Sequence, residues 1–173
     1  MKWDSLPVLF KKLNLSQTET NDIKEKIKSY RDRYPESNES NVKAWHSNWR
    51  TDLIDNSFED INNRIVFECE NLIFNQTQKD VELKICDMWI NMYQKGDYSQ
   101  EHCHYPFNFS CCYYIDIEKN ASPLEFPHLK VIPENDLLVL FPGSLQHKVA
   151  PTNGERVLIS MNLNPEVPPF TYH

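Results

Sequence analysis

The chain has little glycine and no long apolar run. Its 173 residues include only 3 glycines against 11 prolines, so its turns must rely largely on Asn, Asp, Ser and Pro. No apolar stretch in the sequence approaches the roughly 20 residues that are needed to span a bilayer. The opening segment, MKWDSLPVLFKKLNL, lacks the uninterrupted apolar core of a signal peptide. We therefore expect a cytoplasmic protein that does not cross a membrane.

Two further shortages concern cysteine spacing and positive charge. The 5 cysteines include no C-x-x-C pair, and their odd number argues against a disulfide framework. The 18 basic residues are outnumbered by 25 acidic ones, which gives a net charge of −7. Proteins that hold a phosphate backbone usually carry a positive surplus, so nucleic acid is disfavoured as a partner.

The length suits one domain, 1–173, with a helical first part and a strand-rich remainder. Ser16 and Glu19 form a capping box before a helix that is predicted to end at about Tyr34, and a second helix is predicted over about 57–75. Strands are predicted near 83–94, 108–117, 128–132, 136–141 and 155–163. This order predicts an α+β domain that is mainly β, in which helices within 1–80 brace a jelly roll over 81–165.

Three histidines could bind a metal ion. His102 and His104 stand two positions apart, and on one strand their side chains would point the same way. Such a pair is a weak signal by itself. His147 adds a third imidazole from a distant part of the chain, after the turn at Pro142 and Gly143. Three imidazoles with open coordination positions suit an oxygen-activating iron.

Polar side chains on two predicted strands could hold a ligand. Alternation places Arg156, Ser160 and Asn162 on one face of the last strand. A buried arginine needs a partner, and a carboxylate can accept two hydrogen bonds from its guanidinium. Asn91 and Tyr93 share a face of the first strand and could hydrogen-bond ligand oxygens. The alternatives are a salt bridge for the arginine and an outer sheet face for the amide and phenol.

The order Asn91-x-Tyr93, eight residues and His102-x-His104 resembles the 2-oxoglutarate- and Fe(II)-dependent oxygenase superfamily. The segments GDYSQEHCHYPFNFSCCYYI and LLVLFPGSLQHKVAPTNGERVLISMNL are similar to small 2OG-Fe(II) oxygenases of bacteria and phages, as is AWHSN at 44–48. The likeness covers about residues 40–164. It implies a double-stranded β-helix that uses Fe(II), 2-oxoglutarate and O2 to oxidise, most simply to hydroxylate, a second substrate.

The resemblance also assigns roles to residues. His102 and His147 match metal ligands, and Arg156 matches the residue that binds the far carboxylate of 2-oxoglutarate. The residues that it places along the cosubstrate pocket are Asn91, Tyr93, Ser160 and Asn162.

His104 is the main departure from the superfamily, which usually has Asp or Glu at the second ligand position. If His104 is not a ligand, Asp97 or Glu101 from the adjoining turn could provide the missing carboxylate.

Two other classes of protein stay open. One is a cupin-type dioxygenase with a three-histidine metal and no 2-oxoglutarate, although the glutamate expected after the second histidine is absent between Tyr105 and Ser110. The other is a non-enzymatic jelly-roll binding module. The substrate is open between a small molecule and a protein, and the N-terminal helix either braces the sheet or forms a homodimer contact. His46 is expected in a surface loop beside Trp45, with a position of both residues near the pocket mouth as the alternative.

Overall fold

The computed structural model describes residues 6–38 and 40–166. The helices are α1 (Gln17–Arg33), α2 (Thr51–Ile54) and α3 (Glu59–Thr77), with a 3-10 turn at Asn56–Phe58. The strands are β1 (Leu9–Lys12), β2 (Val42–Lys43), β3 (Trp45–His46), β4 (Leu83–Tyr93), β5 (Tyr98–His102), β6 (Phe109–Ile117), β7 (Leu124–Phe126), β8 (Leu129–Val131), β9 (Leu137–Pro142), β10 (His147–Val149) and β11 (Arg156–Pro165).

The strands form two antiparallel sheets. The larger has the order β1-β9-β6-β11-β4-β3, and the smaller has the order β2-β5-β10-β7-β8. An apolar layer joins them, in which Tyr114 and Leu158 of the larger sheet pack in one cluster with Phe126 and Val149 of the smaller. Two facing antiparallel sheets that enclose a layer of this kind form a jelly roll. The predicted fold class is therefore confirmed.

A second apolar layer lies on the outer face of the larger sheet, under the helices. The buried face of α1 carries Ile23, Ile27 and Tyr30, and α3 adds Ile65 and further apolar residues to the same cluster. Burying a side chain of this size contributes about 1.5–3 kcal/mol, so the helices stabilise the sheet that they cover. Among the described helices, none is long and apolar enough to cross a bilayer.

The helix starts and connections have local causes. Ser16 accepts a hydrogen bond from the Glu19 backbone and Glu19 reaches back to Ser16, so the predicted capping box is present. At the other end of α1, Arg33 forms an ion pair with Asp55, whose side chain also caps the 3-10 turn. This pair fixes α1 to the segment that leads into α3.

Six short strands were not predicted from the sequence. Besides the five predicted strands, the structure has β1, β2, β3, β5, β7 and β10, each between two and five residues long. Strands this short show too few alternations to be recognised from a periodicity of two. Most of the smaller sheet is built from them.

Candidate metal centre and ligand cavity

Three imidazoles meet between the two sheets. The candidate ligand nitrogens of His102, His104 and His147 all lie within 4.8 Å of one another. His102 and His147 are direct partners in the pairing of β5 with β10, which places their rings 4.4 Å apart between centroids. No carboxylate among the described residues joins this group: Asp97 accepts a hydrogen bond from the Gln94 backbone.

His104 reaches the group in a way that the sequence did not predict. Strand β5 ends at His102, so the two histidines do not alternate along one strand. Instead, His104 lies in the following turn, where its backbone N–H donates to the carbonyl of Gly143 at 2.6 Å. A Cβ on Gly143 would lie 2.1 Å from the Phe107 carbonyl oxygen. The close approach of these two turns, which only glycine permits, therefore holds His104 in place.

The hydrogen bonds of the rings leave nitrogen lone pairs for a cation. His102 Nδ1 lies 2.7 Å from the Gln100 carbonyl and His147 Nδ1 lies 2.9 Å from the Leu145 carbonyl. Because a carbonyl only accepts, each Nδ1 carries the proton and each Nε2 carries a lone pair. His104 Nε2 lies 3.2 Å from His147 Nε2. Converging imidazole nitrogens of this kind fit a divalent metal ion.

The protonation of the group supports the same interpretation. Burial lowers the pKa of His104 to about 3, and the neighbouring His147 and His102 contribute to that lowering. Burial also lowers the pKa of His147 to about 4, with a contribution from His102. Both imidazoles are therefore neutral at physiological pH, which is the state in which histidine binds metal.

A ligand cavity opens beside the histidines. Four of the polar residues predicted from the sequence line it together with the three imidazoles: Asn91, Tyr93, Arg156 and Ser160. Arg156 and Tyr93 are direct partners in the pairing of β11 with β4, so the guanidinium and the phenol lie at the same level of the cavity.

Arg156 is the most unusual residue in this cavity. It is 1% exposed, and the described residues provide no carboxylate partner for it. One amino group donates to the Tyr114 phenol oxygen at 3.3 Å, and the guanidinium lies over the rings of Tyr93 and Tyr114. Burial raises the pKa of Tyr93 to about 12 and also raises the pKa of Tyr114, so both phenols are neutral. The buried cation thus has aromatic neighbours and no anion among them.

Further hydrogen-bond donors in the cavity have no partner. The Nε and Nη1 atoms of Arg156 are buried without an acceptor among the described residues. Trp89 Nε1 donates to Asn91 Oδ1 at 2.9 Å, which fixes the amide orientation and leaves the Asn91 Nδ2 donor buried without a partner. Unpaired buried donors each cost about 1–3 kcal/mol, so the cavity is built for a ligand that offers acceptors.

Asn162 lies elsewhere. The sequence assigned it to the same pocket as Arg156, but in the structure it lines a neighbouring cleft and donates to Asp87 Oδ2 at 3.0 Å. The physical reason is distance, because six residues of strand separate Arg156 from Asn162, or about 20 Å at about 3.3 Å per residue. One small dicarboxylate cannot contact both. Arg156 and Asn162 lie on the shared face of β11 that was predicted, and they line different cavities.

Two residues of the site region were missed or misplaced from the sequence. Tyr114 contacts Arg156, yet it lies in an almost wholly buried strand whose sequence gives no sign of which residue faces the cavity. His46 was expected in a surface loop, but it is fully buried in β3, with its ring stacked 5.8 Å from that of Trp89. The long-range pairing of β3 with β4, in which His46 lies opposite Asn91, brings His46 to the site, and no local pattern encodes that pairing.

Comparison with known proteins identifies the fold. No protein-family model and no curated protein matches the chain. Among solved structures, a viral collagen prolyl hydroxylase from Paramecium bursaria Chlorella virus-1, in complex with 2OG, superposes with a TM-score of 0.67 at 15% identity, covering 95% of this chain and 98% of that one. A Pseudomonas putida prolyl-4-hydroxylase gives 0.66 at 14% identity, covering 94% and 95%.

A different activity occurs on the same fold. The non-heme alpha-ketoglutarate-dependent epimerase SnoN of nogalamycin biosynthesis gives a TM-score of 0.69 at 10% identity, covering 99% of this chain and 89% of that one. The chain therefore has the double-stranded β-helix fold of the 2-oxoglutarate- and Fe(II)-dependent oxygenases. The family resemblance seen in the sequence is confirmed at the level of fold.

Proposed function

We propose that the protein is an Fe(II)- and 2-oxoglutarate-dependent oxygenase that hydroxylates a C–H bond of a second substrate. One observation carries the proposal: a buried arginine that has no carboxylate partner among the described residues lies in the same cavity as three converging histidines. A metal site alone fits many proteins. A metal site beside an unpaired guanidinium fits a ligand that has one end for the metal and a carboxylate at the other.

Each residue then has a defined task. His102, His104 and His147 would hold Fe(II) through neutral nitrogens, leaving coordination positions open. Arg156 would bind the far carboxylate of 2-oxoglutarate through its unused Nε and Nη1 donors, while the Asn91 amide would donate to a second ligand oxygen. When bound, iron and cosubstrate supply the oxidation, in which O2 and 2-oxoglutarate give CO2, succinate and the oxygen atom inserted into the C–H bond.

The aromatic surroundings of Arg156 support this role. Tyr93 and Tyr114 remain neutral and hold the guanidinium by their ring faces, so its charge is not consumed by a protein carboxylate. An entering carboxylate would give the unused guanidinium donors an acceptor in a site of low polarity, where charge-assisted hydrogen bonds are strong.

The two rival classes explain less of the site. A three-histidine cupin-type dioxygenase needs the metal but gives no role to Arg156. A non-enzymatic binding module could hold zinc on the histidines, yet it would also leave the guanidinium without a partner. We further propose that the protein is a cytoplasmic, single-domain enzyme that acts on a small molecule or a protein; homodimer formation stays a prediction.

The deciding experiment is an anaerobic titration of the Fe(II)-loaded protein with 2-oxoglutarate, followed by visible absorption. We expect a weak charge-transfer band as the cosubstrate chelates the iron, and 2-oxoglutarate-dependent succinate formation once O2 is admitted. His102→Ala should abolish the band. The matched control, His128→Ala, changes an exposed histidine outside the site and should leave the band intact.

Arginine variants separate the cosubstrate from the metal. Arg156→Lys should raise the 2-oxoglutarate concentration for half-saturation by at least tenfold, because an ammonium cannot form the same pair of hydrogen bonds. Arg64→Lys, at a half-exposed arginine beside Glu68, should leave it unchanged. Iron binding without any band would favour the cupin hypothesis, and no iron binding would favour the binding module.

A further inference from the structure

A second cleft borders the histidines. It shares Val42, Trp89, His102 and His104 with the cavity that contains Arg156, and its other lining residues, among them His46 and Asn162, are different. A molecule in this cleft would lie against the metal ligands without occupying the space of 2-oxoglutarate. An oxygenase must hold its second substrate beside the metal in this way. Assigning the cleft to that substrate therefore rests on the proposed function.

The first sign of its chemistry is a pair of acceptors. Asn162 Nδ2 donates to Asp87 Oδ2, and since a carboxylate only accepts, the orientation of the amide is fixed. Asn162 Oδ1 is then a buried acceptor without a donor among the described residues. Asp87 lines the same cleft, and its side chain is only partly buried, so its carboxylate can accept from a molecule that enters.

The second sign is His46, which forms the inner part of the cleft. Its Nδ1 lies 2.6 Å from the Ser47 carbonyl and therefore carries the ring proton. Burial lowers the pKa of His46, so the ring is neutral and its Nε2 is an acceptor. That atom, too, is buried without a donor among the described residues. The unused groups of this cleft are thus acceptors, whereas the unused groups of the cosubstrate cavity are donors.

The third sign is an aromatic wall. The indoles of Trp49 and Trp89 lie 5.1 Å apart between centroids, and Trp49 is 42% exposed. Tyr105, which is 79% exposed, and Phe107 line the same cleft. Aromatic faces around a carboxylate attract a cation with an apolar stem, since the rings contact the methylenes and their π faces attract the charge.

We propose that this cleft binds the substrate through an aliphatic cation, an ammonium or a guanidinium on an alkyl chain. The cation would pair with Asp87, donate to the Asn162 carbonyl oxygen and His46 Nε2, and pack its methylenes against Trp49. This would leave a C–H bond of the alkyl chain close to His102 and His104, which line the same cleft.

A neighbouring positive charge of the protein, Arg50, does not take this role. The pKa of Arg50 is raised mainly by its hydrogen bond to Asp52, and the charge of Asp87 adds a smaller contribution. The Arg50 guanidinium donates to both oxygens of Asp52, at 3.0 and 2.8 Å. A prolyl side chain, the group named for several proteins of this fold, has neither charge nor hydrogen-bond donor, so it would leave all three acceptors unpaired. The cleft therefore distinguishes a cationic substrate from a prolyl one.

The test is an NMR titration of the zinc-loaded protein with 2-oxoglutarate present, so that no turnover occurs. The probes are Nα-acetyl-L-lysine amide, Nα-acetyl-L-arginine amide, n-butylammonium, Nα-acetyl-L-norleucine amide and Nα-acetyl-L-proline amide. We expect shifts of the Trp49 indole with at least one cationic probe and at least tenfold weaker binding of the two neutral amides. Tighter binding of the amino-acid amides would assign the cation to a peptide side chain, and tighter binding of n-butylammonium to a free amine; both support the proposal.

Two variants localise the binding. Asp87→Asn keeps an acceptor for Asn162 but removes the charge, and it should weaken the cationic probe at least tenfold. Asp22→Asn, at an exposed carboxylate paired with Lys26, changes the net charge equally and should have no effect. Trp49→Ala, followed through the Trp89 indole, is a second test at a half-exposed residue and should also weaken the cationic probe. Equal binding of cationic and neutral probes, no binding of any cation, or an unchanged affinity in Asp87→Asn would each overturn the proposal.

The outcome is separable from that of the proposed function. The titration is repeated without zinc and 2-oxoglutarate, because neither Asp87 nor Trp49 belongs to the histidine group. A normal 2-oxoglutarate band with no cation binding would refute the cationic substrate and leave the oxygenase in place. Cation binding that is sensitive to Asp87→Asn, in a protein that shows no 2-oxoglutarate band, would do the reverse.

Discussion

At Arg156, a structural role and a ligand-binding role predict opposite effects of a substitution on the free energy of unfolding. A salt-bridged arginine stabilises the fold, whereas a buried guanidinium without an anion is destabilising until a ligand arrives. Arg156→Met keeps the stem and removes the charge. Without 2-oxoglutarate, we expect the free energy of unfolding to stay within about 1 kcal/mol of the parent value, because the relieved desolvation offsets the lost cation–π contacts.

The same variant should not respond to the cosubstrate. At a 2-oxoglutarate concentration about 100 times the dissociation constant, the metal-loaded parent protein should gain about 2.7 kcal/mol, and Arg156→Met should gain much less. Chemical denaturation with and without 2-oxoglutarate measures both numbers. A loss of more than about 3 kcal/mol without ligand would show instead that Arg156 has a structural partner.

Gly143 is a residue whose effect on the metal should be indirect. A methyl group there would collide with the Phe107 carbonyl and displace the turn that carries His104. We expect Gly143→Ala to fold but to bind Zn(II) or Fe(II) at least tenfold more weakly, because one of three ligands loses its position. Isothermal titration with the metal measures this.

A matched control uses another crowded glycine. At Gly154, a Cβ would lie 2.8 Å from the Ala121 backbone nitrogen, in a turn that carries none of the three histidines. Gly154→Ala should lower stability to a similar degree while leaving metal affinity unchanged. Equal metal affinity in both variants would mean that the contact between Gly143 and Phe107 does not position His104 for metal binding.

At the scale of elements, the sequence was informative where elements are long and apolar on one face. It predicted α1, α3 and the long strands of the larger sheet within a few residues, because Ile23, Ile27 and Tyr30, for example, repeat at helical spacing. It missed β5 and β10 as strands, although they carry His102 and His147. Their pairing depends on contacts between distant segments, which no local pattern encodes.

The connection between α1 and α3 depends on one carboxylate. Asp55 caps the 3-10 turn through Ser57 and pairs with Arg33 at the end of α1. Burial raises the pKa of the Asp55 carboxyl, but the hydrogen bonds from Ser57 and Arg33 outweigh it, so the pKa lies below its usual value. Asp55→Asn should cost about 1–3 kcal/mol at neutral pH, since it leaves the ion pair broken and the cap weakened.

The lowered pKa of Asp55 sets the direction of a pH dependence. A carboxyl whose folded-state pKa is depressed stabilises the fold above its unfolded pKa and loses that contribution as the pH falls through the folded value. The difference in the free energy of unfolding between the parent protein and Asp55→Asn should therefore have its full value at pH 7 and decrease below about pH 4. Urea denaturation at several pH values tests this, with Asp22→Asn as an exposed control. A difference that is independent of pH would assign the effect to packing.

At the scale of the whole molecule, charge decides what can bind. The net charge is −7, and α1 carries a dense run of basic residues. Three of those cations are paired with acids: Lys24 with Asp116, Lys26 with Asp22 and Arg33 with Asp55. The helix that would be the best candidate for a phosphate-binding surface is therefore largely neutralised, and its apolar face is buried against the sheet.

We accordingly expect no measurable binding of a fluorescently labelled DNA duplex or single strand at about 50 mM salt, where a protein that neutralises several phosphates would bind most tightly. Fluorescence anisotropy measures this, with a basic DNA-binding protein as the positive control. Binding that weakens linearly in log affinity with log salt concentration would reveal a basic surface and refute the prediction. The cationic probes of the second cleft, unlike DNA, should bind to the protein, because its acidic surface attracts them. Their affinity should fall as the salt concentration rises, since salt screens that attraction.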